Sequence, residues 1–150
     1  MKEKNELILH IYEDAQMACF TLESLLRDLK EKDNKIKNIT ENILKEYENW
    51  TKRAKAILQK GNAEISEEPV MAKMMAGVNI KMEVMSDNSD SAIADMLIKG
   101  ISMGSIDMEK KISAYKESVS KEDLNFAEDF LKFQERVIDD LKKYVGLSNM

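Results

Sequence analysis

The stretch that decides the fold is residues 89–118, SDSAIADMLIKGISMGSIDMEKKISAYKES. It contains no proline, and its apolar residues recur at steps of three and four, which is the period of one helix face. Gly100 and Gly104 lie midway along it, one turn apart, and Asp107 lies on the next turn. The pattern predicts one long helix over residues 90–118. Two residues without side chains and one acid lie near its inner face, so we expect any buried chemistry at this level of the fold.

The same spacing of apolar residues continues on both sides of this stretch. It predicts helices over residues 4–31, 35–60 and 121–145, and a shorter helix over residues 68–85 that starts at Pro69. The break at residues 32–34 is so short that the second helix must return along the first, with Asp33 expected to cap it. On the first helix, Asp14 and Glu23 are expected to flank the apolar seam. On the last helix, Gln134 falls on the inner face.

The shorter helix connects two predicted helical hairpins. At 1.5 Å per residue its length is about 27 Å, so it allows the second hairpin to begin at the opposite end of a bundle from where the first finishes. The sequence therefore predicts a single all-α domain over residues 1–150, an antiparallel four-helix bundle with a helical crossover. Five methionines lie on this crossover, from Met71 to Met85. We expect them to pack within the subunit or to form an interface, because flexible thioether side chains suit both roles.

Composition excludes several classes of function. The chain has 43% hydrophobic and 34% charged residues and a net charge of −5, with no basic stripe, so we expect no nucleic-acid partner. No apolar run approaches the ~18 residues of a membrane span, and the N-terminus lacks the apolar core of a signal peptide. Cys19 is the single cysteine, so the chain forms no internal disulfide. No histidine is adjacent to Cys19 in the sequence to activate its thiol. We expect a cytoplasmic protein without nucleophilic catalysis.

The layout resembles the ferritin-like superfamily, and most closely the small bacterial ferritin-like bundle proteins. The likeness covers residues 6–145 and depends on four stretches: ILHIYEDAQMACFTLESLL, ILKEYENWTKRAKAIL, the crossover EEPVMAKMMAGVNIKM, and SMGSIDMEKKISAYKE. It implies two helical hairpins joined by a crossover helix. The resemblance is one of layout and pattern, without a diagnostic motif.

Ferritin-like enzymes carry an inward Glu on two helices and a Glu-x-x-His motif on the other two, which together hold two metal ions. The resemblance thus implies an iron or manganese site, whose best candidate ligands here are Glu46 and Asp107, followed by Glu23 and Glu135. The only histidine, His10, belongs to no Glu-x-x-His motif. The alternative interpretation of Glu46 and Asp107 is that both are flanking residues paired with Lys or Arg.

The glycines also allow two interpretations. Gly100 and Gly104 are expected to let a bulky neighbour such as Trp50 or Phe130 approach closely, or else to open a ligand pocket. The sparse ligand set and the methionine-rich crossover favour a non-enzymatic protein that forms a homodimer or binds a helical partner protein. The competing hypothesis is a carboxylate-bridged iron or manganese protein of ferritin or rubrerythrin type, in metal handling or oxidative stress.

Overall fold

A computed structural model of the protein describes residues 2–61 and 88–146. These residues form four α-helices and no strand: α1 (Lys2–Asp28), α2 (Ile36–Lys60), α3 (Asp90–Tyr115) and α4 (Lys121–Lys142). The prediction of an all-α fold with four long helices is confirmed. The helix predicted over residues 68–85, with its methionines, lies outside the described residues. None of the four helices is both long and apolar enough to cross a lipid bilayer.

Three helices end about one turn earlier than the apolar spacing predicted. α1 ends at Asp28, α3 at Tyr115 and α4 at Lys142, and the chain continues from each end as turns. The amides of these turns still bond to the last carbonyls, as from Leu29 N to Leu25 O over 3.0 Å. Because Leu29 and Val119 remain in the apolar pattern beyond the helices, the pattern could not mark the helix ends.

The core is built from one stripe of each helix. α1 packs most extensively on α2, and α3 on α4, while every helix also touches the other two. Most of the predicted inner residues are buried, among them Ile8, Ile11, Ala15, Leu22, Leu25, Ile36, Thr40, Ile43, Ala54, Ile93, Leu97, Met108, Ala127, Val137 and Leu141. The predicted binary pattern therefore places the core correctly along all four helices.

A layer of aromatic side chains joins α2 to α4. The ring of Tyr47 meets that of Phe133 at 4.8 Å between centroids and 77° between planes. Trp50 contacts Phe126 at 5.1 Å and Phe130 at 5.2 Å. Such inclined pairs contribute about 0.5–1.5 kcal/mol each beyond the area they bury. Since α2 and α4 belong to different pairs of consecutive helices, this layer holds the two pairs together.

Polar contacts near the helix ends fix which ends lie together. The hydroxyl of Tyr115, at the end of α3, donates to the carboxylate of Glu6 near the start of α1. Gly146, just beyond α4, adopts a φ of +90° that favours glycine, and its amide donates to Ser91 Oγ over 2.9 Å. Ser91 lies in the first turn of α3. The end of α4 therefore lies beside the start of α3.

The start of α2 is capped by a residue from another helix. α2 has no side-chain cap from its own preceding turn, so Asp33 does not have the capping role predicted for it. Instead Asp90 accepts hydrogen bonds from Lys35 N over 3.1 Å and Ile36 N over 3.3 Å. The Asn34 side chain also donates to Asp90, over 3.0 Å. A carboxylate from α3 thus satisfies amides that the helix itself leaves without partners.

We expect Asp90→Ala to lower the free energy of unfolding by about 1–2 kcal/mol, because it removes a charged cap with several donors. Chemical denaturation followed by circular dichroism measures the change. Asp33→Ala is the matched control, since none of the side-chain hydrogen bonds of the described residues involves Asp33, and it should change stability by less than ~0.5 kcal/mol. Equal losses in the two variants would contradict the assignment of the cap.

Candidate functional site

A polar pair lies inside the bundle at the level of Gly104. Gln134, which has no exposed surface, donates from Nε2 to Asp14 Oδ2 over 2.9 Å. A Cβ atom on Gly104 would lie 3.1 Å from Gln134 Nε2 and 3.2 Å from Asp14 Oδ2. These distances are shorter than ordinary contacts of a Cβ atom, so the missing side chain of Gly104 makes room for the pair. Residues from α1, α3 and α4 therefore meet at one point.

The structure confirms one sequence prediction here and adds a contact to another. Gln134 lies on the inner face of α4, as predicted. Asp14 was predicted to flank the seam of α1 and lies half-buried at its edge, but its contact with Gly104 and Gln134 was not predicted. The apolar pattern of α1 shows which residues form the seam. It does not show that the edge of the seam has space for an acid, because this space is provided by Gly104 of α3. A buried amide needs a polar partner, and this requirement is the signal by which Gln134 could have indicated Asp14.

The environment of Asp14 favours its protonated form. Burial raises the pKa of its carboxyl to about 6, with a further increase from the negative charge of Asp107, and the hydrogen bond from Gln134 opposes both. Gln134 Oε1 is buried and accepts no hydrogen bond from the described residues. Because the amide has both a donor and an acceptor end, it can serve either protonation state of Asp14. The pair therefore titrates near neutral pH.

A groove of about 520 Å³ between α1 and α3 lies next to this pair. His10, Asp107, Lys111 and Tyr115 are among the residues that line it. Burial lowers the pKa of His10, the positive charge of Lys111 lowers it further, and Asp107 opposes both. His10 Nε2 is buried without a hydrogen-bond partner in the described part of the chain. His10 is therefore neutral at pH 7, and Asp107 acts on both His10 and Asp14.

A second groove, of about 610 Å³, lies between α2 and α4. Trp50 and Phe133 lie along it, and charged side chains from both helices line it. Glu46 is among them, half-exposed and paired with Arg136, which also bonds to Asp140 over 3.2 Å. Glu46 thus occupies a surface ion pair, in agreement with the interpretation of it as a flanking residue.

The four residues predicted as metal ligands do not assemble. Glu46 lines the groove between α2 and α4, and Glu23 and Glu135 are exposed. Asp107 was expected near the inner face of its helix, but it is exposed and lines the groove between α1 and α3. Within residues 2–61 and 88–146, no three His, Cys, Asp or Glu side chains are grouped so that they could hold a metal ion. The described residues therefore do not fit the ligand set of a two-metal centre, and metal binding stays a prediction.

Cys19 offers little nucleophilic reactivity. Its Sγ lies 3.9 Å from Thr51 Oγ1, and burial raises the pKa of its thiol to about 11. The thiolate is the reactive form of cysteine, so a thiol with this pKa is almost entirely inactive at pH 7.

The two glycines of α3 differ in their surroundings. Gly104 contacts the polar pair, whereas a Cβ on Gly100 would meet nothing within 4 Å. Close packing against a bulky neighbour such as Trp50 or Phe130, or else a ligand pocket, was predicted at these glycines. Gly100 lacks such packing, and the atoms nearest to a Cβ on Gly104 belong to Gln134 and Asp14. Only Gly104 has a packing reason for its missing side chain.

Comparison of the chain with family models, with curated proteins and with solved structures gives no match in any of the three. Function is therefore argued from the geometry of the described residues.

We expect Asp14→Asn to stabilise the protein at pH 7.5, to do so by about half as much at pH 5, and to have little effect at pH 3.5. The folded pKa of Asp14 is about 6 against an ordinary value of 3.8, so the folded state holds this proton more tightly than the unfolded state does. Its contribution to stability is fully present below pH ~4 and is lost as the pH rises through ~6, a change of at most about 3 kcal/mol. Denaturation at several pH values measures it.

Asp107→Asn is the matched control for this prediction. It removes the neighbouring charge that raises the pKa of Asp14, so it should shift the same transition to lower pH without removing it. His10 contributes an opposite pH dependence, which cancels in the difference between Asp14→Asn and the unsubstituted protein, whereas Asp107→Asn also lowers the pKa of His10. An equal effect of Asp14→Asn at pH 3.5 and pH 7.5 would contradict the assignment.

We expect Gly100→Ala and Gly104→Ala to differ in stability by about 1 kcal/mol or more. Alanine is about 1 kcal/mol better than glycine inside a helix, and Gly100 has open space for the methyl group. At Gly104 the same gain is opposed by displacement of the polar pair. Thermal denaturation of the two variants gives the difference. The same gain in stability at both positions would show that Asp14 and Gln134 do not need the gap.

Proposed function

We propose that the protein is a non-enzymatic ferritin-like helical bundle that forms a homodimer through the outward face of α3. The observation that supports this most strongly is the exposure of two large apolar side chains on that face. Met103 is 69% exposed and Ile106 is 52% exposed, and they lie three residues apart, on neighbouring positions of the helix surface. Apolar residues grouped at the surface mark association sites more often than single ones do.

The distribution of apolar residues on α3 supports the same face. On α2 and α4 the apolar residues are concentrated on the inner side of the helix. On α3 the apolar and polar residues are more evenly distributed around the helix than on α2 or α4. Its inner side already contributes Ile93, Leu97 and Met108 to the core. Met103 and Ile106 are therefore additional to what the bundle itself needs. A twofold contact would bring this face of one protomer against the same face of its partner.

The ferritin-like layout belongs to this proposal. Two contacts support antiparallel helix pairs: Glu6 with Tyr115, and Ser91 with Gly146. The bonds of Asp90 to the start of α2 support a parallel direction for α2 and α3. In that case residues 61 and 88 lie at opposite ends of the bundle, separated by about the length of α2, which is ~37 Å at 1.5 Å per residue. A crossover of this kind is the ferritin-like connection.

The chemistry of the described residues is in keeping with a role in binding rather than catalysis. The thiol of Cys19 is held protonated, and Glu46 is engaged by Arg136. A cytoplasmic location, where a free thiol is kept reduced, is part of the same proposal. The alternative is a carboxylate-bridged iron or manganese protein with ligands among Glu46, Asp107, Glu23 and Glu135, to which the half-buried Asp14 could be added. Two metal ions per chain in protein purified without chelator would favour that alternative over ours.

The homodimer is tested by sedimentation velocity. We expect the protein at high micromolar concentration to sediment with twice the 17.2 kDa mass of one chain. Met103→Glu/Ile106→Glu should raise the dissociation constant by at least ~100-fold, because the contact would then bury unpaired charges.

Val145→Glu is the matched control. Val145 is 48% exposed and lies beyond the end of α4, so a charge placed there should leave the dimer intact. A monomer at every concentration tested would contradict the proposal. So would equal dissociation of both variants, since that would reflect a general effect of added negative charge. Circular dichroism of each variant confirms that the helices are retained.

A further inference from the structure

The groove between α2 and α4 is basic on an acidic protein. The whole chain has a net charge of −5, yet four of the side chains that line this groove are cationic and two are acidic. The cations are Lys45, Arg53, Lys132 and Arg136, and the acids are Glu46 and Asp129. The groove thus has a net positive charge, whereas the whole molecule has a net negative charge. This surface therefore attracts a ligand that the rest of the protein repels.

Three of the four cations have no acidic partner within the described structure. Arg136 is paired with Glu46 and Asp140. The ion pairs of residues 2–61 and 88–146 include none of Lys45, Arg53 and Lys132. The groove thus has free positive charge on both of its walls, from α2 and from α4.

Arg53 is held in place by the aromatic layer beneath it. Its guanidinium carbon lies 4.5 Å from the ring centre of Trp50 and 5.1 Å from that of Phe126. A guanidinium stacked on aromatic rings keeps its N–H groups, which lie in its own plane, available for a carboxylate. Because the rings fix its position before binding, less side-chain entropy is lost when it accepts a ligand.

The spacing of the lining residues matches a helix. Lys45, Asn49 and Arg53 recur every four residues along α2, and Lys132 and Arg136 do so along α4. The groove therefore presents polar groups at intervals of one helical turn along two rigid walls, over an apolar floor that includes Trp50 and Phe133. Such a shape accepts a helix with acids on successive turns, as in other helix-in-groove complexes.

We propose that this groove binds an acidic amphipathic helix of a partner protein, with Glu or Asp side chains on successive turns of its bound face. Carboxylates of the partner pair with Arg53, Lys45 and Lys132, while Arg53 and Arg136 cover the rings of Trp50 and Phe133 beneath them. Glu46 and Asp129 repel any anion, so a ligand with separate carboxylates, which can lie at the cations and away from these two acids, fits the groove better than the continuous charge of a polyphosphate. The proposal uses α2 and α4, so it is independent of the homodimer through α3.

The probe is a fluorescein-labelled amphipathic helical peptide of about 18 residues with Glu on successive turns of one face, long enough to retain some helicity alone. A second peptide has Gln in place of every Glu. Fluorescence anisotropy with the full chain should show binding of the Glu peptide only, weakened by added salt. Lys45→Gln/Arg53→Gln/Lys132→Gln should weaken this binding about tenfold or more.

The matched control is Lys52→Gln/Lys60→Gln/Lys121→Gln, which changes the net charge equally at exposed positions outside the groove and should alter affinity less than about twofold. Equal binding of the Glu and Gln peptides would overturn the proposal, as would equal losses in the two triple variants. A single-stranded oligonucleotide that bound more tightly than the peptide, with the same dependence on the groove residues, would also overturn it. All six substitutions lie on the surface, and circular dichroism checks that each variant remains folded.

Discussion

The contact on which the rest of the structure depends is the aromatic layer between α2 and α4. Short connections bring α1 against α2 and α3 against α4. The connection between α2 and α3 is much longer, so it does not by itself hold the first pair of helices against the second. Tyr47 and Trp50 hold the two pairs together by packing against three phenylalanines of α4. The layer is apolar below and bordered by arginines above, where Arg53 and Arg136 lie on the rings. One feature therefore joins the helix pairs and arranges the charges of a surface groove.

The contact between α1, α3 and α4 is of a different kind. These three helices meet at a hydrogen bond between Asp14 and Gln134, enclosed where Gly104 has no side chain. Buried polar pairs contribute little net stability, yet they are costly to break because each partner would be left unsatisfied. The pair therefore favours one relative position of these helices over others that would bury the same apolar area. Its contribution is to the specificity of the packing, and its protonation makes that contribution dependent on pH.

Sequence periodicity predicted the helices and most of the core, because a buried stripe of 3.6-residue period is a local property of each helix. It failed where a residue's role is set by a distant segment. Asp14 resembles a surface acid until Gln134 and Gly104 are placed beside it. Asp33 has the position of a cap, but Asp90, more than fifty residues further along the chain, takes that role. The predicted metal ligands were inferred from a layout, and a layout does not determine where individual side chains point.

The capping of α2 by Asp90 has a consequence for how the molecule folds. The first turn of α2 obtains its acceptors from α3, so it is complete only when α3 has docked. The start of one helix is thus a tertiary contact, and local helix formation is coupled to closure of a chain segment of 54 to 56 residues. The amides of Lys35 and Ile36 therefore lose their acceptor whenever α3 undocks, so the start of α2 is stable only in the assembled bundle.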